Sequence, residues 1–328
     1  MKGLTLGQGS GGRLTQSLIA DLARAFGEGS PREMEDCALL PEGMAVTIDG
    51  FTVSPRTFPG GDIGKLALCG SINDLAVRGA EPRYIALSVI AEEGFDEEEL
   101  SRHLSSAGRI CRDERIRLVA GDTKVVPRGA VDGLFLTVAG LGLPRRRPEL
   151  AMTNLRPGDS LILTGPPGRH GAVIASERYG LATEGLKSDC APLWDLLSPL
   201  LDLPGLKTMR DCTRGGLGTV LCEWTEAAGL AATIDEADLP VDEGVLSVAD
   251  LLGFDPLYLA CEGTALLALA PEEADQALAR LRSHPLGQEA ALIGQITDDP
   301  LGLVEMTTLA GGSRIIDMPV GEILPRIC

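Results

Sequence analysis

Apolar residues recur at helical spacing over residues 13–26 and 64–78, and in short blocks that predict strands at Ala45–Ile48, Arg83–Ile90, Arg117–Ala120 and Leu134–Ala139. These elements make a first domain. The stretch PRRRPELAMTNLRPGD, rich in proline and charge, interrupts the pattern as a linker does. It resumes with a strand over Ser160–Thr164 and a helix over Ala172–Tyr179. A helix after Arg214-Gly215-Gly216, a strand over Thr264–Ala270, a helix over Glu272–Ser283 and a strand over Ala291–Ile296 complete a second domain. The expected organisation is a two-domain α/β (α+β) chain, residues 1–150 and 151–320, with the boundary near 148–156. A tail, residues 321–328, contains a proline that resists regular structure, and is expected to be extended and mobile.

Composition narrows the partners. The chain of 328 residues carries 29 basic and 47 acidic side chains, a formal charge of −18, which argues against a nucleic-acid backbone binder. Neutral, cationic or metal-bridged ligands suit it better. The eight cysteines include no C-x-x-C pair, as expected of reduced thiols rather than a disulfide framework or zinc site. The start MKGLTLGQGSGGR lacks an apolar signal core, and no apolar run approaches the roughly 20 residues that span a bilayer. The expectation is a cytoplasmic protein that engages no membrane.

The candidate chemistry gathers in the first domain. Asp36 precedes the Cys37–Leu40 run, Asp49 follows the Ala45–Ile48 strand, Asp74 lies in Ile72-Asn73-Asp74-Leu75, and Asp122 follows the Arg117–Ala120 strand. Converged carboxylates with phosphate oxygens are what Mg²⁺ requires. Taken singly, each is equally what a turn or an N-cap uses. Gly7–Arg13 and Pro59–Lys65 both run into helices, where backbone N–H groups favour an anion, although the first lacks the Lys-Ser/Thr ending of a P-loop. No dinucleotide fingerprint stands between a strand and a helix, so a nicotinamide enzyme is not expected. In Gly121-Asp122-Thr123-Lys124 the acid and the cation share one face of a strand. Arg210-Asp211-Cys212-Thr213-Arg214-Gly215-Gly216 offers an anion site, or a capped, salt-bridged turn. Glu262 leads into an apolar strand, where burial would raise its pKa and make it a candidate base.

Together, GSGG at 9–12, FPGGDIGKLA at 58–67, NDLA at 73–76, GDTKVV at 121–126, DCTRGG at 211–216 and the ending LPRIC resemble the HypE family. These are the carbamoyl dehydratases of nickel–iron hydrogenase maturation, within the superfamily of aminoimidazole ribonucleotide synthetase and selenophosphate synthetase. The resemblance implies two α/β domains, a homodimer joined through the first domains' strands, and ATP with Mg²⁺. It implies that Asp36, Asp49, Asp74 and Asp122 hold metal and phosphates. Asn73, Thr123, Lys65, Gly60, Gly61, Gly215 and Gly216 would frame that site with Asp211 and Arg214. Lys124 would neutralise charge and Glu262 would remove a proton. Cys328, the last residue, would receive a carbamoyl group from a HypF-type carbamoyltransferase. ATP-dependent loss of its oxygen would give a thiocyanate, passed to an acceptor of the HypC–HypD type. Arg169 stands where the family often has Asp before His-Gly, so no acid is expected to act there. Two other readings are an ATP-dependent synthetase or kinase acting on a small substrate, independent of Cys328, and a non-catalytic ATP-binding scaffold.

Overall fold

The computed structural model describes residues 3–9, 12–26, 35–145, 149–299, 302–320, 324 and 326–328. The first half runs α1 (Gly12–Phe26), β1 (Ala38–Leu39), β2 (Ala45–Phe51), a small hairpin of β3 (Thr57–Phe58) and β4 (Gly61–Asp62), α2 (Ile63–Val77), β5 (Ala80–Glu92), α3 (Glu97–Asp113), β6 (Arg117–Val126) and β7 (Leu134–Pro144). Five strands form one sheet in the order β1-β2-β7-β5-β6, parallel only between β5 and β6. Because α2 is apolar on nearly every side, it can only be an interior helix. Every residue of it except Lys65 and Asp74 is buried.

The second half runs β8 (Ser160–Leu163), α4 (Arg169–Tyr179), α5 (Trp194–Leu197), β9 (Leu206–Asp211), α6 (Gly216–Ala228), β10 (Ala231–Asp235), α7 (Glu243–Leu252), β11 (Ala265–Leu269), α8 (Ala274–Arg282), β12 (Ala291–Thr297), β13 (Val304–Thr307) and β14 (Ser313–Ile316). Its seven-stranded sheet has the order β14-β13-β10-β12-β8-β11-β9. The central strands β8 and β11 are buried at every residue, which explains their continuous apolar runs. One core cluster takes in Ile63 and Leu66 of α2, Val173 and Ile174 of α4, and Val245 of α7, so the two halves share an interior.

Several elements differ from the sequence expectation. Helix α3 was not anticipated; Asp96 caps it by accepting from Glu99 N, and Glu97, Glu98 and Glu99 fill its first turn, where the helix dipole favours them. Strand β2 continues through Asp49 to Phe51, and β6 continues through Asp122 to Val126, so neither acid ends its strand. The tail is extended, but its described part is docked rather than free. Leu324 and Ile327 are 6% and 7% exposed within the shared core. The chain beyond β2 pairs with it: Thr52 N donates to Cys328 O at 2.9 Å, Ser54 N to Arg326 O at 3.1 Å, and Arg326 Nε to Thr52 O at 2.9 Å. Apolar burial and satisfied backbone groups are what hold it. Ser10 and Gly11 of the GSGG motif, and Pro325 of the terminal motif, lie outside the described residues. Among the described residues no helix is long and apolar enough to cross a membrane.

Candidate active site

A cavity of about 710 Å³ opens at the seam between the sheets, walled on one side by α1 and on the other by α6. Gln16 of α1 ties the two helices together, donating to Glu223 of α6 at 3.3 Å. Into this cavity the fold delivers three carboxylates from three elements. Asp74 projects from buried α2, Asp36 sits just before β1, and Asp211 ends β9; each offers an oxygen within 4.8 Å of the others. Arg210 Nε lies 3.1 Å from Asp36 Oδ1 and its Nη1 lies 3.1 Å from Glu223 Oε2. Thr47 Oγ1, two residues before Asp49 on the same face of β2, lies 2.5 Å from Asp74 Oδ2.

The electrostatics of the cluster follow from burial. Desolvation raises Asp36 to about 6, against the pull of Arg210. Desolvation, reinforced by the charge of Asp36, raises Asp211 to about 8. Asp74 is pushed well above the ordinary carboxylate range by burial and then by the charges of Asp211, Asp49 and Asp36. Asp36 Oδ2 and Asp211 Oδ2 are buried with no hydrogen-bond partner among the described residues. Three clustered acids, two of them with an unspent buried oxygen, suit a hard divalent cation. Asp49 lines the same cavity, its carboxyl raised by burial and lowered in part by Arg214.

The thiol lies in the same cavity. Arg214 Nη1 donates to Cys328 Sγ at 2.9 Å, and both residues line the cavity with Glu262. Glu262 is 2% exposed, its Oε1 has no partner among the described residues, and burial first, then the proximity of Cys328, pushes its pKa well above the usual range. A carboxylate outside the sequence expectation aims it. Asp189 accepts from Glu262 N at 3.1 Å, Gly263 N at 3.0 Å and Thr264 Oγ1 at 3.1 Å.

Other expected site residues stand elsewhere. Asn73 spends its side chain on the frame: Nδ2 donates to Ala191 O at 3.1 Å and Glu262 O at 3.2 Å, while Oδ1 accepts from Leu193 N at 2.8 Å. It ties the backbone of Glu262 to that of residues 191 and 193. Lys65 Nζ is taken by Gly60 O at 2.9 Å, and Gly61 packs against Phe58. Gly216, at φ +61°, is required by packing, because a Cβ there would meet Leu257 O at 2.5 Å; Gly215 is its left-handed neighbour at the start of α6. Asp122, Thr123 and Lys124 do not join the cavity. They lie on β6, a sheet edge exposed along both faces, where Lys124 Nζ lies 2.7 Å from Asp122 Oδ2. Of the four acids expected, Asp36 and Asp74 cluster with Asp211, Asp49 lines the same cavity, and Asp122 stands apart from it within one chain. Thr47 could have been found from its i, i+2 relation to Asp49, whereas Asp189 and the α1 wall carry no local signal. Arg169 is held by Asp242 and by Glu289 at 2.8 Å, away from the thiol.

Residues 34–143 match the AIR synthase related protein N-terminal domain, and residues 156–305 match its C-terminal domain. The carbamoyl dehydratase HypE of Rhodobacter capsulatus is 42% identical over 335 residues, covering 99% of this chain and 98% of that protein. A HypE crystallised in a HypE–HypF complex aligns with a TM-score of 0.88 and 40% identity, covering 94% of this chain and all of the other. A HypE solved in complex with ATP gives 0.85 and 38%, covering 99% of this chain and all of the other.

Proposed function

Because the chain belongs to the HypE family of carbamoyl dehydratases, we propose that it removes water, at the expense of ATP, from an S-carbamoyl group carried on Cys328. The product is a thiocyanate that supplies the cyanide ligands of the nickel–iron hydrogenase centre. The observation that carries this reading is the thiol itself, 2.9 Å from Arg214 in a cavity shared with Glu262 and the acid cluster.

An amide does not surrender its oxygen unaided. In the proposed sequence the carboxamide oxygen takes a phosphoryl group, the nitrogen loses its protons, and phosphate leaves with the C–O bond to give the nitrile. Asp36, Asp74 and Asp211 would hold Mg²⁺ and Asp49 would border the nucleotide; when bound, the metal neutralises phosphate charge. Arg214 fixes the sulfur, and Glu262 accepts the nitrogen proton.

Asp122, Thr123 and Lys124 belong to this scheme only across a homodimer. Strand β6 is an unpaired edge that exposes Leu118, Val119 and Val125, the kind of edge a second copy would cover. A HypF-type donor and a HypC–HypD type acceptor are the proposed partners, and Cys328 would have to undock to reach either. The decisive test is the mass of the C-terminal peptide after incubation with carbamoyl phosphate, ATP, Mg²⁺ and a HypF-type donor, with Cys328→Ala as control. The expected result is a carboxamide adduct that loses the mass of water only with ATP. ATP consumption with no adduct on Cys328 would point instead to a synthetase or kinase acting on a small substrate. Binding of ATP without turnover would point to a scaffold.

A further inference from the structure

Helix α4 carries a fully buried histidine that the reaction above does not use. We infer that His170 is the positioning residue of the reactive thiol: its Nε2–H, given to the carbonyl of Ile327, holds Cys328 in register beside Arg214. The inference rests on the reading of Cys328 as the group that reacts.

The geometry fixes the direction of each hydrogen bond. His170 Nε2 lies 2.6 Å from Ile327 O, which can only accept, so Nε2 bears the proton. Nδ1 lies 2.8 Å from Ser188 Oγ, and that oxygen already takes the Cys190 N–H at 3.1 Å, leaving the hydroxyl proton to point at Nδ1. Burial favours the same neutral ring, and the charged groups that act on it are Asp189 and Arg178.

Both halves of the molecule aim this ring. Phe58 of β3 stands edge-on to it, centroids 5.1 Å apart at 79°. Ser188 N is anchored on Pro59 O at 2.9 Å, and Gly60, at φ +98°, leaves no room for a side chain, since a Cβ would meet Ser188 O at 2.8 Å. Further along α4, Arg178 donates to Arg326 O and, at 2.5 Å, to Ser54 O. Three successive tail carbonyls are therefore engaged: Arg326 by Ser54 and Arg178, Ile327 by His170, and Cys328 by Thr52. Only the Ile327 bond comes from a buried side chain whose donor depends on a tautomer. A thiol that must leave and return needs restraint that is specific in register, and the His170 bond adds one neutral hydrogen bond to those of Thr52, Ser54 and Arg178.

The test is alkylation of Cys328 by iodoacetamide in the full-length protein, read from the mass of the C-terminal peptide. It requires neither ATP nor a carbamoyl donor, so it stands apart from the dehydratase assay. His170→Asn, too short to reach Ile327, should raise the alkylation rate about five- to tenfold. His170→Gln, whose amide N–H reaches a similar point, should stay within about twofold of the parent. Ser188→Ala removes the hydroxyl that holds Nδ1 and fixes the ring against Ile327 O, and should give a rise of about two- to threefold; it carries the test if His170→Asn does not fold. With carbamoylated protein, His170→Asn should slow single-turnover dehydration by the same factor and leave carbamoyl transfer unslowed, and His170→Gln should restore it. Equal alkylation rates for the Asn and Gln variants, or no rise in Ser188→Ala, would overturn the assignment.

Discussion

Replacing Asp211 by Asn removes one ionisable group from the acid cluster and keeps its volume. In the folded protein this carboxyl ionises near 8, and in the unfolded chain near its ordinary 3.8. Between those values the folded state holds a proton that the unfolded state has lost. Folding stability therefore falls as pH rises, by about 1.4 kcal/mol per pH unit, and the fall ends near 8. Asp36, raised to about 6, adds a fall of the same sign that is largely complete by pH 6. Over pH 6 to 8 Asp211 alone thus costs the metal-free protein about 2 kcal/mol, allowing for partial ionisation at the upper end. Asp74 is itself raised in part by the charge of Asp211, so the variant also loses that coupling, and the difference between the curves reports Asp211 together with it. Urea denaturation in chelator at pH 6, 7 and 8 measures it. Asp211→Asn should gain about 2 kcal/mol on the parent between pH 6 and 8. Excess Mg²⁺ at pH 8 should stabilise the parent and do little for the variant, because ligand bound only to the folded state adds its binding energy to stability. Parallel pH curves in chelator, or equal stabilisation of both proteins by Mg²⁺, would refute the picture of three acids that need a cation.

Two further outcomes follow. Arg214→Met should leave Cys328 able to accept a carbamoyl group but slow dehydration by roughly ten- to hundredfold, the cost of losing a charged hydrogen-bond donor to the sulfur; single-turnover mass spectrometry after carbamoylation measures both steps. Val119→Glu places a charge on the exposed apolar edge of β6 and should convert a dimer to monomer in sedimentation velocity, and the monomer should lose ATP turnover because Asp122 and Lys124 then reach no site.

What the sequence disclosed, and what it withheld, divides along one physical line. Periodicity reports which face of its own element a side chain leaves, but not which other element that face will meet. Hence the strands around Ala45, Leu134 and Ser160 and the buried helix α2 could be read locally, and so could the chemical character of Asp36, Asp74, Arg214 and Glu262. Asn73 and Asp74 show the limit. They are neighbours in NDLA, yet one residue turns the helix by about 100 degrees. Asp74 therefore reaches the cavity while Asn73 spends its amide on Ala191, Glu262 and Leu193 across the seam. The tail illustrates the same point, since nothing within Arg326–Cys328 announces that Thr52, Ser54 and His170 will satisfy its carbonyls. Asp122 and Lys124 are a different case. On an exposed strand an acid and a cation two residues apart can neutralise each other, and in the single chain they do. Only a second surface laid against β6 would give that pair other partners, so in the proposed homodimer the site would draw on what covers the edge as well as on the residues of one chain.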